Sequence, residues 1–338
     1  MLSAIDRELF EVIPVGITRE GAFVLEDDDP AKFGLDPERL PEVADNASRV
    51  LWPENASSRE LRVVHADGRT ASLGVVDVVF PILHGRYGED GTVQGLFELA
   101  GLPYVGSGVL ASSVSMDKHF TKTVLQHAGI SVAPWVTVSA LGHAADPDAA
   151  RRSAEQLGFP VFVKPARAGS SVGVSKVDGP ELLDAAVRDA LVHDDRVLIE
   201  STVVGREVEI AVLEGRDGAE PRTSVAGEIV VSGRGFYDFD AKYLDAPGIE
   251  LVCPAALSDD ELAEMSRIAR DVFVAVGAEG LARVDFFLTA DGFVVNELNT
   301  LPGFTPISMF PKCWLASGLA YPDLITELLE IGAERGAR

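Results

Sequence analysis

Cysteine is scarce in this sequence: two residues, Cys253 and Cys313, among 338. That is too few for a disulfide framework at this length, and their spacing matches no paired metal-ligand motif. Positive charge is short as well, with 29 Lys and Arg against 53 Asp and Glu and a formal charge of −24. Binding to nucleic acid or to an anionic membrane surface would have to overcome long-range repulsion, so neither partner is expected. Long apolar runs are missing too. Residues 1–10 carry Asp6 and Glu8, and hydrophobic stretches elsewhere are strand-sized, which argues against a signal peptide or membrane span and for a cytoplasmic protein. No fixed-period repeat is present, and no serine or cysteine sits in a nucleophile elbow, so covalent hydrolase chemistry is not expected.

What is present is ordinary globular material, 47% hydrophobic and 24% charged, enough for a large core in two or three units. Three regions are expected: 1–106, 107–200 and 201–338. In the first, 2–9 reads as an amphipathic helix and 10–17 as a strand. The near-continuous apolar run 75–83 reads as a strand buried on both faces. A Gly-rich loop, a helix closed by Gly101 and a short strand at 103–105 complete a βαβ pattern. The middle region has helices at 116–128, 150–157 and 182–191, with strands at 161–165, 172–177 and 196–200. The third has strands at 207–213 and 225–231, a polar aromatic loop, a long helix, a hairpin and a C-terminal helix. Ser258-Asp-Asp-Glu261 is a capping box for that long helix, and its stripe Leu262, Met265, Ile268, Val272, Phe273 and Val276 is core.

The hairpin, 280–288 and 293–299, holds the most chemistry. Ala282, Val284, Phe286 and Leu288 share one strand face, leaving Arg283 and Asp285 together on the other. A two-residue Asp-Gly loop would set Glu297 opposite Phe286; a three-residue Ala-Asp-Gly loop with Gly292 left-handed sets it opposite Asp285. The second register is chosen, because the first turns a carboxylate toward the apolar side. It gathers Arg283, Asp285, Glu297 and Asn299. Opposed carboxylates repel, and a divalent cation such as Mg²⁺ would relieve this; a solvated polar face is the bland reading.

Other signals are weaker alone. Lys164 ends a strand and precedes Gly169-Ser-Ser-Val-Gly173, a loop whose amides could cradle phosphate, or a tight hairpin beside an exposed lysine. It is no Walker A loop, since no Gly-Lys-Ser/Thr occurs. Gly106-Ser-Gly108 resembles a dinucleotide fingerprint without the acidic residue about 20 positions on, and reads as a domain junction. His84 ends a buried strand, where ligands of α/β sheets collect. Lys118 lies in the first turn of a helix, where an anionic ligand would offset the dipole. Glu200 and Glu207 flank a strand start and read, without context, as surface charges.

Together these segments resemble the ATP-grasp enzymes, specifically the D-alanine–D-alanine ligase family, across essentially the whole chain. The matching motifs run in family order: His84-Gly-x-x-Gly-Glu-Asp-Gly91, Met116-Asp-Lys118, Val163-Lys-Pro165, Gly169-Ser-Ser-Val-Gly173, Phe236-Tyr-Asp-Phe-Asp-Ala-Lys-Tyr243, Arg283-Val-Asp285 and Glu297-Leu-Asn-Thr-Leu-Pro-Gly303. The resemblance implies an α/β and α+β chain: an ATP-grasp fold behind a Rossmann-like, doubly wound N-terminal domain. ATP would lie between the middle and third regions, its phosphates at Lys118 and Lys164 under the loop bearing Ser170 and Ser171. Glu200 and the Val203 backbone would read adenine, and Glu207 the ribose. Asp285, Glu297 and Asn299 would hold two Mg²⁺ (or Mn²⁺) ions. Arg283 and the Gly303 N–H would meet the oxyanion, and Ser308 and the Met309 backbone the second carboxylate. His84 and Tyr237 would contact substrate. Lys242 and Tyr243 would cover the site, and that Lys-Tyr pair favours a dipeptide over a D-alanyl-D-lactate product. A homodimer making a peptidoglycan precursor is implied.

One family feature is missing. Members open with a strand and a Ser-x-Glu-His loop whose glutamate binds the first ammonium, and nothing here matches it. The expectation is that the working protein has roughly 20–30 residues before Met1, enough for one strand and one loop, or else that another residue such as Glu89 binds the ammonium.

Overall fold

A computed structural model describes residues 1–33, 42–169, 171–231 and 248–335. The chain forms two units, Met1–Pro81 with Gln94–Val105 and Leu319–Arg338, and Ile82–Val93 with Gly106–Gly318. This division differs from the three expected regions: the middle and third regions belong to one unit, and the C-terminal segment belongs with the first.

In the first unit β1 (Val15–Ile17) pairs with β2 (Phe23–Leu25), and β3 (Arg49–Leu51), β4 (Glu60–Val64) and β5 (Thr70–Val75) form an antiparallel sheet. Trp52 packs edge-on against Phe23 and Phe97, which adjoins Tyr104. Several expectations change here: the strand expected over 10–17 is only Val15–Ile17, and that at 103–105 is a single bridge at Tyr104. Residues 2–9 make separate turns, not a helix, since the Asp6 carboxylate takes the Glu8 N–H (2.8 Å) in a local turn that competes with helix formation. The run 75–83 is not a buried strand: β5 ends at Val75, 67% exposed, and only Val79 pairs, in parallel with Tyr104 across α1 (Thr92–Ala100). Val79 N donates to Pro103 O and Val105 N to Val79 O, both at 2.8 Å, the βαβ unit at its shortest.

In the second unit, the expected helix 116–128 is two: α2 (Val109–Met116) and α3 (Lys118–His127). Asp117 ends one and caps the other, accepting from His119 N and Phe120 N. Then come β6 (Trp135–Ser139), α4 (Ala140–Ala145), α5 (Pro147–Leu157), β7 (Val161–Pro165), β8 (Ser175–Val177), α6 (Pro180–His193) and β9 (Arg196–Ser201), with sheet order β6-β9-β7-β8. One face of this sheet, Val161, Val163, Val177, Val197 and Ile199, packs on α5 and α6. Because strand side chains alternate, Trp135, Phe162, Lys164, Leu198 and Glu200 share the other face.

A second sheet contains β10 (Arg206–Leu213), β11 (Arg222–Val231), β12 (Ile249–Val252), β13 (Leu281–Thr289) and β14 (Gly292–Asn299), ordered β12-β11-β10-β13-β14 and antiparallel throughout. Its apolar face buries Val208, Ile210, Val284, Phe286 and Leu298 against Met265, Ala269, Val272 and Phe273 of α7 (Asp259–Ala275), which starts with the expected capping box. Helix α8 (Met309–Ala316) lies over the opposite face, where Met309 crosses Gly227 so closely that a Cβ there would collide with its sulfur. The two sheets join where Val132, just before β6, bridges Val295 of β14. Gly106-Ser-Gly108 is structural: Ser107 and Gly108 bond Glu279, at the start of the hairpin.

Candidate active site

The hairpin register predicted for catalysis is present, reached by another route. Thr289 pairs with Gly292, so the turn holds two residues, Ala290 and Asp291, with Gly292 at φ +114°. A bulge at Asn296 then shifts the ladder by one residue, which sets Glu297 opposite Asp285 and Asn299 opposite Arg283. Arg283 holds Asp285 in a two-point pair, Nε to Oδ1 and Nη2 to Oδ2, each 2.7 Å. Its Nε also lies 3.0 Å from Glu209 Oε2. Burial works against the Arg283 charge, but the charges of Asp285 and Glu209 outweigh it and keep the guanidinium pKa well above its ordinary value.

Asn299 Nδ2 donates to Asp285 Oδ2 at 3.1 Å. Among the described residues no three His, Cys, Asp or Glu side chains converge as a metal cluster; the hairpin offers two carboxylates and an amide. Rotating that amide would present its oxygen, an assignment that rests on the hydrogen-bond network. Hard oxygen donors on a rigid hairpin, with Arg283 offsetting one carboxylate, fit Mg²⁺ or Mn²⁺.

Two loops meet this face. His84 Nδ1 lies 2.9 Å from Leu301 O. Glu89 Oε1 accepts from Gly85 N at 2.6 Å, and burial together with the Glu297 charge pushes the Glu89 carboxyl up to about 7. A Cβ on Gly303 would lie 3.0 Å from Ser308 Oγ, so these two are adjacent. Ser308 precedes α8, yet its hydroxyl turns back to Thr305 Oγ1 at 2.8 Å and leaves the first-turn amides of α8 without a side-chain cap.

On the other sheet Lys164 pairs with Glu200, and Lys118 Nζ donates to Ala168 O at 2.7 Å, pinning the loop after β7. Glu200 is buried, not a surface charge. Burial would raise its pKa, but the neighbouring Lys164 and Lys122 hold it below the ordinary carboxylate value. Glu207 is half-buried on β10, on the same side as Glu209, and Val203 is half-buried in the segment before it. Ser171 has φ +59°. Ser170, Tyr237, Lys242 and Tyr243 lie outside the described residues.

Sequence reasoning missed two residues. Lys122, one turn after Lys118 on α3, donates to Glu200 Oε1 at 2.7 Å; the spacing Lys118-x-x-x-Lys122 was the available signal. Glu209, two residues after Glu207 on a strand, necessarily shares its face.

The D-ala D-ala ligase N-terminus model matches residues 1–107, and the C-terminus model residues 124–330. The chain belongs to the D-alanine–D-alanine ligase family. A D-alanine–D-alanine ligase of Pseudarthrobacter chlorophenolicus is 51% identical, with 99% of this chain and 88% of that protein covered. Two solved structures share the ATP-grasp fold. The D-alanine-D-alanine ligase from Coxiella burnetii has a TM-score of 0.81 at 34% identity, covering 99% of this chain and 88% of its own. A D-Ala:D-Ser ligase from Enterococcus faecalis has a TM-score of 0.82 at 35% identity, covering 97% and 92%. The family and the α/β ATP-grasp fold agree with the resemblance read from the motifs. No helix among the described residues is long and apolar enough to cross a membrane.

Proposed function

We propose that this chain is an ATP-dependent ligase that joins two D-alanine molecules into D-alanyl-D-alanine, a peptidoglycan precursor, in the cytoplasm and as a homodimer. The carboxylate of the first D-alanine attacks the γ-phosphorus, the bond to the β–γ bridging oxygen breaks, and ADP leaves. The amine of the second D-alanine attacks the resulting acyl phosphate; phosphate departs and the amine gives up its proton. The observation that carries this reading is the hairpin face, where Arg283, Asp285, Glu297 and Asn299 converge in a chain of this family.

Nε and Nη2 of Arg283 are engaged by Asp285, so the guanidinium is oriented before substrate arrives, which is what stabilisation of a developing oxyanion requires. The Gly303 N–H is its partner in this role. Lys118 and Lys164, each on a protein oxygen in this structure, exchange those contacts for phosphate oxygens under the Ser170-Ser171 loop. Glu200 and the Val203 backbone take the adenine, and Glu207 the ribose. Ser308 and the Met309 backbone hold the second carboxylate, and His84 and Tyr237 contact the reacting substrates. Lys242 and Tyr243 belong to the covering loop that keeps water from the acyl phosphate. Asp285, Glu297 and Asn299 would hold Mg²⁺ or Mn²⁺, which supplies charge neutralisation at the phosphates. Within the second unit, 107–200 and 201–318 are the two halves of the nucleotide grasp, and the first unit is a substrate domain.

ADP release tests the reading. It should require both D-alanine and a divalent cation and yield one dipeptide per ATP. ATP turnover indifferent to D-alanine would overturn it; a preference for D-lactate or D-serine as acceptor would reassign the second substrate.

A further inference from the structure

We propose that Lys122 is a positioning residue for nucleotide selection, holding the Glu200 carboxylate as a pure hydrogen-bond acceptor so that adenine is taken in preference to guanine. This rests on the reading of Glu200 as the group facing the purine. Lys122 is 2% exposed, on the inner face of α3 with Thr121 and Leu125. A lysine so buried is tolerated only with partners. Its Nζ reaches Glu200 Oε1 at 2.7 Å and Ala133 O at 3.4 Å, and lies 5.7 Å from the centre of the Trp135 ring. Trp135 stands directly across from Glu200 on the neighbouring strand.

The two lysines on Glu200 are not equivalent. Lys164, with 12% of its side chain exposed, sits near the end of β7 and can exchange Glu200 for a ligand. Lys122 has no solvent to turn to. When Lys164 moves to a phosphate or a ring nitrogen, Lys122 is the cation that keeps Glu200 charged and fixed. An ionised carboxylate only accepts hydrogen bonds. It therefore suits the 6-amino group of adenine and repels the 6-oxo group of guanine. Without Lys122, burial favours the protonated acid, which can donate to that oxygen.

Steady-state kinetics of the full chain with ATP and GTP test this, using Lys122→Met, Glu200→Gln and the double variant. Lys122→Met should raise KM for ATP by about tenfold, the scale of one hydrogen bond to a charged group, and narrow the ATP-over-GTP preference by about as much, while kcat changes by less than about threefold. In the Glu200→Gln background the same substitution should add nothing. An unchanged nucleotide preference in Lys122→Met, or an undiminished effect in the Glu200→Gln background, overturns the role. If Glu200→Gln itself leaves KM and preference unaltered, the adenine reading of Glu200 falls, and the inference with it. Should Lys122→Met fail to fold, Lys122→Gln, which keeps a donor without the charge, is read the same way.

Discussion

The two candidate functional faces of the second unit are electrostatic opposites. Where β10, β13 and β14 adjoin, one half-buried cation, Arg283, stands among Asp285, Glu209 and Glu297. On β7 and β9 one buried carboxylate, Glu200, stands among Lys122 and Lys164, with Lys118 near. Counted over these described side chains alone, each cluster carries an excess of one sign, in opposite senses. A purely structural ion pair would be balanced; an excess held in place by backbone register is what a site needs if its ligand completes the charge. The acidic face suits cations and the basic face suits phosphates, and a magnesium nucleotide carries both. In a chain with a net charge of −24 the basic face is the more specific of the two.

The sharpest way to break this contrast is Glu297→Gln. Removing one of the opposed carboxylates should lower turnover by a factor on the order of 10²–10³, the range for one preorganised charged group, while leaving the fold intact. Normal turnover at limiting Mg²⁺ would mean that the acidic excess has no metal-binding role. Arg283→Met attacks the same face from the other side. It strands Asp285 and Glu209 in a buried site, and urea unfolding should show a loss of about 3–5 kcal/mol along with loss of activity.

The two faces should also answer pH in opposite directions. The folded pKa of Glu89, beside Glu297, is raised from 4.5 to about 7, so its contribution to stability is complete below 4.5 and is lost as pH rises through about 7. The folded pKa of Glu200 is lowered from 4.5, so its contribution is present above 4.5 and is lost as pH falls through the depressed value. Unfolding midpoints measured without metal across this range should therefore fall on both sides, and Glu89→Gln should flatten the neutral side alone. A flat neutral side in the unmodified protein would remove Glu89 from the acidic face. The smallest effect belongs to neither cluster: Ser258→Ala breaks the capping box of α7 and should lower stability by about 1 kcal/mol without changing KM for ATP or D-alanine.

The acidic face was largely legible beforehand, because strand alternation alone puts Arg283 beside Asp285 and a desolvation argument selects the partner Glu297. The turn differs from the expected three-residue loop. Two-residue and three-residue loops differ by one position, and a bulge at Asn296 makes up that difference without any local signal in composition. The basic face was half legible. Lys118 and Lys164 stood out at a helix start and a strand end, but Lys122 sits inside an amphipathic helix, where a lysine reads as solvent-facing until a strand remote in sequence brings Glu200 to it.

Segments whose fate depends on neighbours were read least well. The apolar run 75–83 has the composition of a buried strand, yet burial belongs to whatever packs on both faces, and here only Val79 finds a strand partner. Residues 2–9 have helical spacing, but a local Asp6 turn is enough to defeat a stretch too short to hold itself together.

By itself the sequence determined what obeys short-range geometry: strand alternation on β9, β10 and β13, the capping box of α7, the order of the motifs and hence the family. Tertiary structure alone decided which charges on different elements remote in sequence meet. The Lys122–Glu200 pair spans 78 positions and the Glu209–Arg283 pair joins strands separated by β11, β12 and α7. Such contacts depend on which strands and helices become neighbours, and side-chain periodicity carries no information about that.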